Sequence, residues 1–375
     1  MLVLLHPAMA LTGVGCSITG PLLPALARSF HLNDSQSGLL VFWIYAGMTT
    51  GALLCRGNYA RMIAAGFAAF AAAALGLGFA PGLLLMPLGF IYGAAISLPM
   101  TSINLFVGRN FPARRAATLT ALNFSWSLGA TVGPLLAARL LELLSWRSVY
   151  EAVAAAAVAA AVGTHLVLRD SEEAARLTPE TAGLRNLRLI VLFALFFFLQ
   201  VGMECTAGAW ASTYVLRVTT TTVAAAAAAS SIFWGGFLAS RALAPLVLLR
   251  VRPARLLQAC MVTAIAASGF IVAVRSAVPL LAAILLLGLA LAPVFPVALA
   301  GFFDRARRSS DSRFVLALSA FGGAVFPWLA GAISTHAGSL RIGLLTLPMT
   351  LLLMAAMLPL LGVAGRARVG EVAGS

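Results

Sequence analysis

One acid stands inside the long apolar run from Phe193 to Val215, in the stretch Gln200-Val201-Gly202-Met203-Glu204-Cys205-Thr206-Ala207-Gly208-Ala209-Trp210. An ionised carboxylate at bilayer depth is costly, so it persists only where it faces a cavity, finds a partner or carries a proton. Glu204 is therefore the first candidate for chemistry. Gln200 precedes it by one helical turn and shares its face. An amide beside an acid, with Trp210 and Tyr214 near by, suits a polyol or another small polar solute. The structural readings stay beside it: a buried ion pair for Glu204, an interhelical hydrogen bond for Gln200, and interface anchoring for Tyr214.

Arg241 lies well inside a later apolar run, roughly 13 Å from its end at the helical rise. It could pair with Glu204, hold an anionic solute, latch a gate, or snorkel to the interface. Asn104 and Asn123 are candidate cavity-facing hydrogen-bonding residues, or equally contacts between helices. Trp126 and Trp234 could stack on a solute or pack in the core. Arg139 with Glu142, and Arg147 with Glu151, have the spacing of local ion pairs on a helix. The histidines His6, His31, His165 and His336 and the cysteines Cys16, Cys55, Cys205 and Cys260 show no metal-ligand spacing, so no metal and no cofactor is expected.

These residues belong to a chain that is 61% hydrophobic and 10% charged, with a mean hydropathy of +1.00. That is a membrane protein rather than a large soluble core. The net charge of +14 comes from arginine alone. The arginines fall in loops between apolar runs, not on a stripe amid stacking aromatics, so no nucleic-acid partner is expected. The first apolar run lacks a basic leader and is too long for a signal peptide; it reads as the first span.

Twelve spans are expected, at 2–27, 36–55, 62–80, 82–107, 116–141, 148–168, 189–215, 222–249, 256–274, 278–303, 314–334 and 340–363. Asn33 and Gln36 fit an N-cap and its capping partner at the second span. With both termini cytoplasmic, only Arg28, Arg147, Arg217, Arg275 and Arg341 fall in outer loops, which satisfies the positive-inside rule. Asp34 is the only acid in an outer loop, and nothing in the sequence pairs with it. The polar stretch 169–188 reads as a cytoplasmic linker between a bundle at 1–168 and a second bundle at 189–375.

The halves echo each other at an offset of about 190 residues. Phe42-Trp43 recurs as Phe233-Trp234, Pro99 with Phe106 recurs as Pro296 with Phe303, and the run Gly129 to Pro134 recurs as Gly323 to Pro327. This implies two six-helix bundles about a pseudo-twofold axis, able to rock around a site near the midplane. Pro21 and Pro24 in the first span, Pro99 in the fourth, and Pro293 and Pro296 in the tenth should interrupt their helices.

At these residues the chain resembles the major facilitator superfamily over almost its whole length. Gly51 through Arg56 to Arg61 looks like a degraded form of that superfamily's Gly-and-Arg loop, without its usual Asp. The stretch Val201 to Glu204 with Trp210 and Tyr214, the pair Leu122-Asn123, and Gly322 to Val325 with Pro327-Trp328 are similar to the fucose-permease-like group of sugar–proton symporters. The resemblance implies an all-α fold of twelve transmembrane helices in two bundles. It implies a secondary transporter for a small organic solute, with a sugar as the class the group suggests, working by alternating access and coupled to a proton. It further implies a monomer in the inner or plasma membrane, with Arg241, Arg56 and Arg61 in gating. The group's acids in the first and fourth helices are missing here, and Met100 stands where the second would be. Export of a metabolite or drug is the nearest alternative. A membrane enzyme, a channel and an ATP-driven pump are disfavoured: no nucleophile with its base, no pore loop and no nucleotide-binding loop is present.

Overall fold

A computed structural model describes residues 1–55, 58–111, 115–168, 187–303 and 309–361. The helices in chain order are α1 (Leu2–Ser17), α2 (Thr19–Ser29), α3 (Asp34–Leu54), α4 (Tyr59–Gly78), α5 (Leu85–Asn110), α6 (Arg115–Leu143), α7 (Trp146–Leu168) and α8 (Leu187–Val218). They continue with α9 (Val223–Leu248), α10 (Pro253–Ala273), α11 (Ala277–Leu291), α12 (Val294–Phe303), α13 (Ser309–Ala337), α14 (Leu340–Gly343) and α15 (Thr346–Leu361). Among the described residues, 11 helical segments are long and apolar enough to cross a membrane. The 29-residue α6 takes the place of the remaining span. Span edges agree with the sequence reading to within a few residues. The capping box at α3 forms as expected: the Asn33 side chain accepts from the Gln36 backbone, and the Gln36 side chain accepts from the Asn33 backbone.

Two of the expected proline interruptions occur. The first span divides at Ile18, between α1 and α2. Pro21 brings no N–H to the carbonyl of Ser17, and its ring crowds that carbonyl. The tenth span divides between Leu291 and Val294, where Pro293 and Pro296 leave the carbonyls of Leu289 and Ala292 without donors. The third expectation fails, since α5 runs unbroken through Pro99. Gly66 of α4 lies against the proline ring, where an added Cβ would come within 2.6 Å of Cδ. That close packing holds the helix straight where propensity alone would bend it.

The halves meet along related seams. Helix α3 packs on α13, and α6 packs on α9. Each seam carries edge-to-face aromatics: Phe42 with Phe321 at 6.1 Å, and Trp126 with Trp234 at 5.7 Å. The split first span is asymmetric in its contacts. Segment α2 packs on α8 and α9 of the second half, whereas α1 packs chiefly on α5, α6 and α7 of its own half. Cross-half packing of that span is thus concentrated at the end away from the chain termini, called the distal end below.

At the distal end the sequence reading of Asp34 is overturned. Its carboxylate takes both arms of Arg217 from the end of α8, at 2.7 and 2.5 Å. It also accepts from the Ser334 hydroxyl of α13. The next residue joins in: the backbone N–H of Ser35 donates to Thr335 Oγ1 at 2.8 Å. Sequence separation hid the pair, because the partners stand 183 positions apart. Arg139 and Glu142 do pair, at 2.7 Å. Arg147 instead lies over the Trp146 ring, 4.7 Å from its centre, and among the described residues it forms no ion pair with Glu151.

Candidate functional site

Glu204 sits midway along α8, where that helix passes α9, α11 and α13. The side chain is enclosed by helices and is half-buried rather than fully buried. Gln200 Nε2 donates to its carboxylate at 2.8 Å and to the carbonyl of Leu291 at 3.0 Å. That carbonyl ends α11, at the break in the tenth span, so one amide joins the acid to the broken helix. Among the described residues, the buried amide oxygen of Gln200 has no hydrogen-bond partner. The helical pairing of Gln200 and Glu204 is the one expected from their spacing.

Arg241 of α9 lies within electrostatic reach of Glu204, but the two make no contact-distance ion pair among the described residues. The guanidinium donates to Ser127 Oγ of α6 at 3.1 Å and covers the Phe237 ring at 4.4 Å. It therefore bridges from the second half to the first, leaving the acid's charge uncompensated by direct contact. Tyr45 of α3 reaches the same centre, its ring lying with Cys205 against Gly323. Helices α3, α8 and α13 crowd together there: a Cβ on Gly323 would lie 2.8 Å from Cys205 Sγ and 3.1 Å from Tyr45 Cδ1. Small residues at such crossings let helices approach closely.

The other candidates distribute unevenly. Trp126 stands beside Trp234 on the α6–α9 seam, with its indole N–H buried and, among the described residues, unpartnered. Asn123 is exposed one turn before Ser127 on α6, and its amide bonds only its own helix, at Leu119 O. Asn104 likewise donates to Met100 O within α5. Trp210 does not face Glu204. It is 1% exposed and donates to Pro327 O at 2.9 Å. With Tyr214 it lines a small apolar pocket inside the second half. Helical phase accounts for this, since six residues carry a side chain well round the helix from Glu204. Tyr214 is buried too, with its hydroxyl on Ile271 O, rather than anchored at an interface. Arg61 is exposed near the start of α4, where its backbone N–H caps on Asn58. Arg56 lies outside the described residues. Sequence reading missed Ser127 and Tyr45, which carry no charge and sit in ordinary apolar surroundings.

Comparison with known proteins places the fold. The family model of the Major Facilitator Superfamily matches residues 5–311, and the chain belongs to that superfamily. The family and fold are those of transporters, not enzymes. Human sodium-dependent glucose transporter 1 is 26% identical over 280 residues, covering 62% of this chain and 53% of the human protein. The chain thus spans about half the length of that relative. A bacterial homologue of the human lysosomal transporter Spinster, solved inward-facing and occupied, superposes with a TM-score of 0.74 at 16% identity, covering 96% of each chain. A D-xylose–proton symporter superposes with the same TM-score of 0.74 at 13% identity, covering 94% of this chain and 96% of its own. The chain is an integral multi-pass membrane protein of that superfamily.

Proposed function

We propose that this protein is a cation-coupled secondary transporter for a small polar solute of the sugar class. The observation that carries the reading is Glu204: a lone acid at mid-span, half-buried among helices, tied through Gln200 to a broken helix and left without a contact-distance cation. The solute sits between the halves, near Glu204 and Trp126, with the exposed Asn123 at the approach. The unpartnered N–H of Trp126 and oxygen of Gln200 offer it one donor and one acceptor. The likeness to the human sodium-dependent glucose transporter and to the D-xylose–proton symporter supports a sugar and a coupling cation, sodium in one case and a proton in the other. The proton is the simplest occupant of the carboxylate. Binding neutralises Glu204 and frees the halves, 1–168 and 189–375, to rock across the 169–188 linker.

The arginine bias puts the termini in the cytoplasm. The Asp34 clasp then closes the outer end. It works as a monomer in the inner or plasma membrane and has no nucleic-acid partner.

The test is a thermal-shift panel on the purified protein, since a ligand of the folded state raises its melting temperature. Sugars, polyols, organic acids, amino acids and lipophilic drugs are compared at pH 5.5 and 7.5. A sugar hit is expected, with Glu204→Gln losing gradient-driven accumulation in vesicles while keeping exchange. Hits confined to lipophilic or cationic compounds would replace this reading with export.

A further inference from the structure

We propose that Glu204, Gln200 and the carbonyl end of α11 together form a binding site for a sodium ion. The inference rests on the reading of Glu204 as the coupling carboxylate and goes on to name the ion and its ligands.

The argument begins at the break in the tenth span. Helix α11 ends at Leu291, and its last carbonyls lack the donors a continuing helix would bring. Such an end carries the negative pole of the helix dipole. Broken helices of this kind, with unwound carbonyls at the midplane, suit a monovalent cation. Here the end points at the side chain next to the acid. One atom of Gln200 lies 2.8 Å from the Glu204 carboxylate and 3.0 Å from Leu291 O. A half-turn of the amide exchanges its nitrogen for its oxygen at that position. Three oxygens of three kinds then converge: a carboxylate, an amide and a backbone carbonyl.

Two further facts favour a cation there. Gln200 is 0% exposed, and among the described residues its Oε1 has no partner as the amide now stands, so turning the amide strands no hydrogen-bonded oxygen. Arg241, the nearest fixed cation, is engaged by Ser127 and Phe237 and does not neutralise the carboxylate by contact. All-oxygen donors select a hard cation over a soft transition metal. A single carboxylate balances a single charge, which favours a monovalent ion over calcium or magnesium.

The site also explains how ion binding could reach the tenth span. Gln200 would exchange two donated hydrogen bonds for shared coordination, drawing α8 and the end of α11 onto one ion.

The purified protein is titrated with NaCl at pH 7.5, with choline chloride holding ionic strength constant and KCl in parallel. Melting temperature is followed without any solute. Sodium is expected to raise it saturably, and potassium and choline are not. Glu204→Gln should abolish the sodium effect. Gln200→Asn, which keeps the amide but withdraws it by one methylene, should raise the half-saturating sodium concentration about tenfold or more. Glu204→Asp is the alternative where the Gln variant does not fold, with the same expected weakening. A wild-type protein stabilised equally by all three salts overturns the proposal and leaves the proton as the coupling ion. Sodium-specific stabilisation that survives in the variants overturns it as well, since the site then lies elsewhere. Neither result touches the solute reading, which stands or falls on the ligand panel.

Discussion

Among the described residues, Nε1 of Trp126 is a buried donor with no hydrogen-bond partner. A buried donor without a partner has already lost its hydration, so removing it frees the fold of a cost instead of adding one. Trp126→Phe should therefore leave the melting temperature unchanged or slightly raised. If the donor serves the solute, affinity should fall about tenfold, or about 1.4 kcal/mol. A lower melting temperature with unchanged solute affinity would make Trp126 a packing residue and remove it from the site. Gln200→Leu should behave oppositely. It strips the Glu204 carboxylate and the Leu291 carbonyl of their shared donor, so thermal unfolding should show a loss of about 1–3 kcal/mol. At this scale the sequence is readable only along one helix. The spacing of Gln200 and Glu204 suffices to pair them, and helical phase, applied strictly, turns Trp210 away. What faces Glu204 from other helices is another matter. Arg241 prefers Ser127, a residue with no feature that sets it apart in the sequence.

Prolines punctuate the helices, but sequence cannot say which of them break one. Pro21, Pro293 and Pro296 accompany interruptions, while Pro99, Pro134 and Pro327 ride inside continuous helices. The difference lies in what packs against the bend, as Gly66 does against Pro99. That is tertiary information, absent from any local window. Restoring the missing N–H groups at the tenth span should mend it: Pro293→Ala together with Pro296→Ala should join α11 to α12 and give the Leu289 and Ala292 carbonyls their donors. A proline inside a helix costs about 3 kcal/mol or more when nothing compensates. Here the break is built into the site, so a stabilisation of about 1–2 kcal/mol is expected, with the rate of transport sharply reduced. A variant that is more stable yet transports at the normal rate would show that the break has no part in the cycle. The glycines give a sharper local contrast. A Cβ on Gly93 would lie 1.8 Å from Ile44 O, whereas Gly269 has nothing within 4 Å. Gly93→Ala should separate α5 from α3 and lower the melting temperature by several degrees, and Gly269→Ala should leave it unchanged.

Alternating access requires each end of the molecule to open in turn, so whatever closes one end sets the balance between the two states. In this protein the distal closure is polar at its rim and small-residue packing beneath. Asp34 holds Arg217 and Ser334 across the halves, while Gly20 abuts the Gly208 carbonyl and Gly331 abuts that of Asp34. The Asp34 side chain is 12% exposed and that of Arg217 is 45% exposed, so the pair is partly shielded from water. Its worth falls between a surface ion pair and a buried one, about 1–2 kcal/mol. Because both partners end on opposite halves, that energy counts only in the distally closed state. Asp34→Asn should therefore shift the balance toward distal opening by roughly fivefold to thirtyfold, and Arg217→Gln should do the same, with the double variant no worse than either alone. The clasp offers a direct handle on this equilibrium. Ser35 and Thr335 already touch through a 2.8 Å hydrogen bond. Cysteines placed at both positions should cross-link under mild oxidation, hold the distal end shut and stop transport, and a reductant should restore it. In the Asp34→Asn background the same cross-link should form more slowly, because the two positions spend less time together. Cross-linking that proceeds at an equal rate with and without Asp34 would show that packing of the glycines closes this end unaided, and that the ion pair only decorates it.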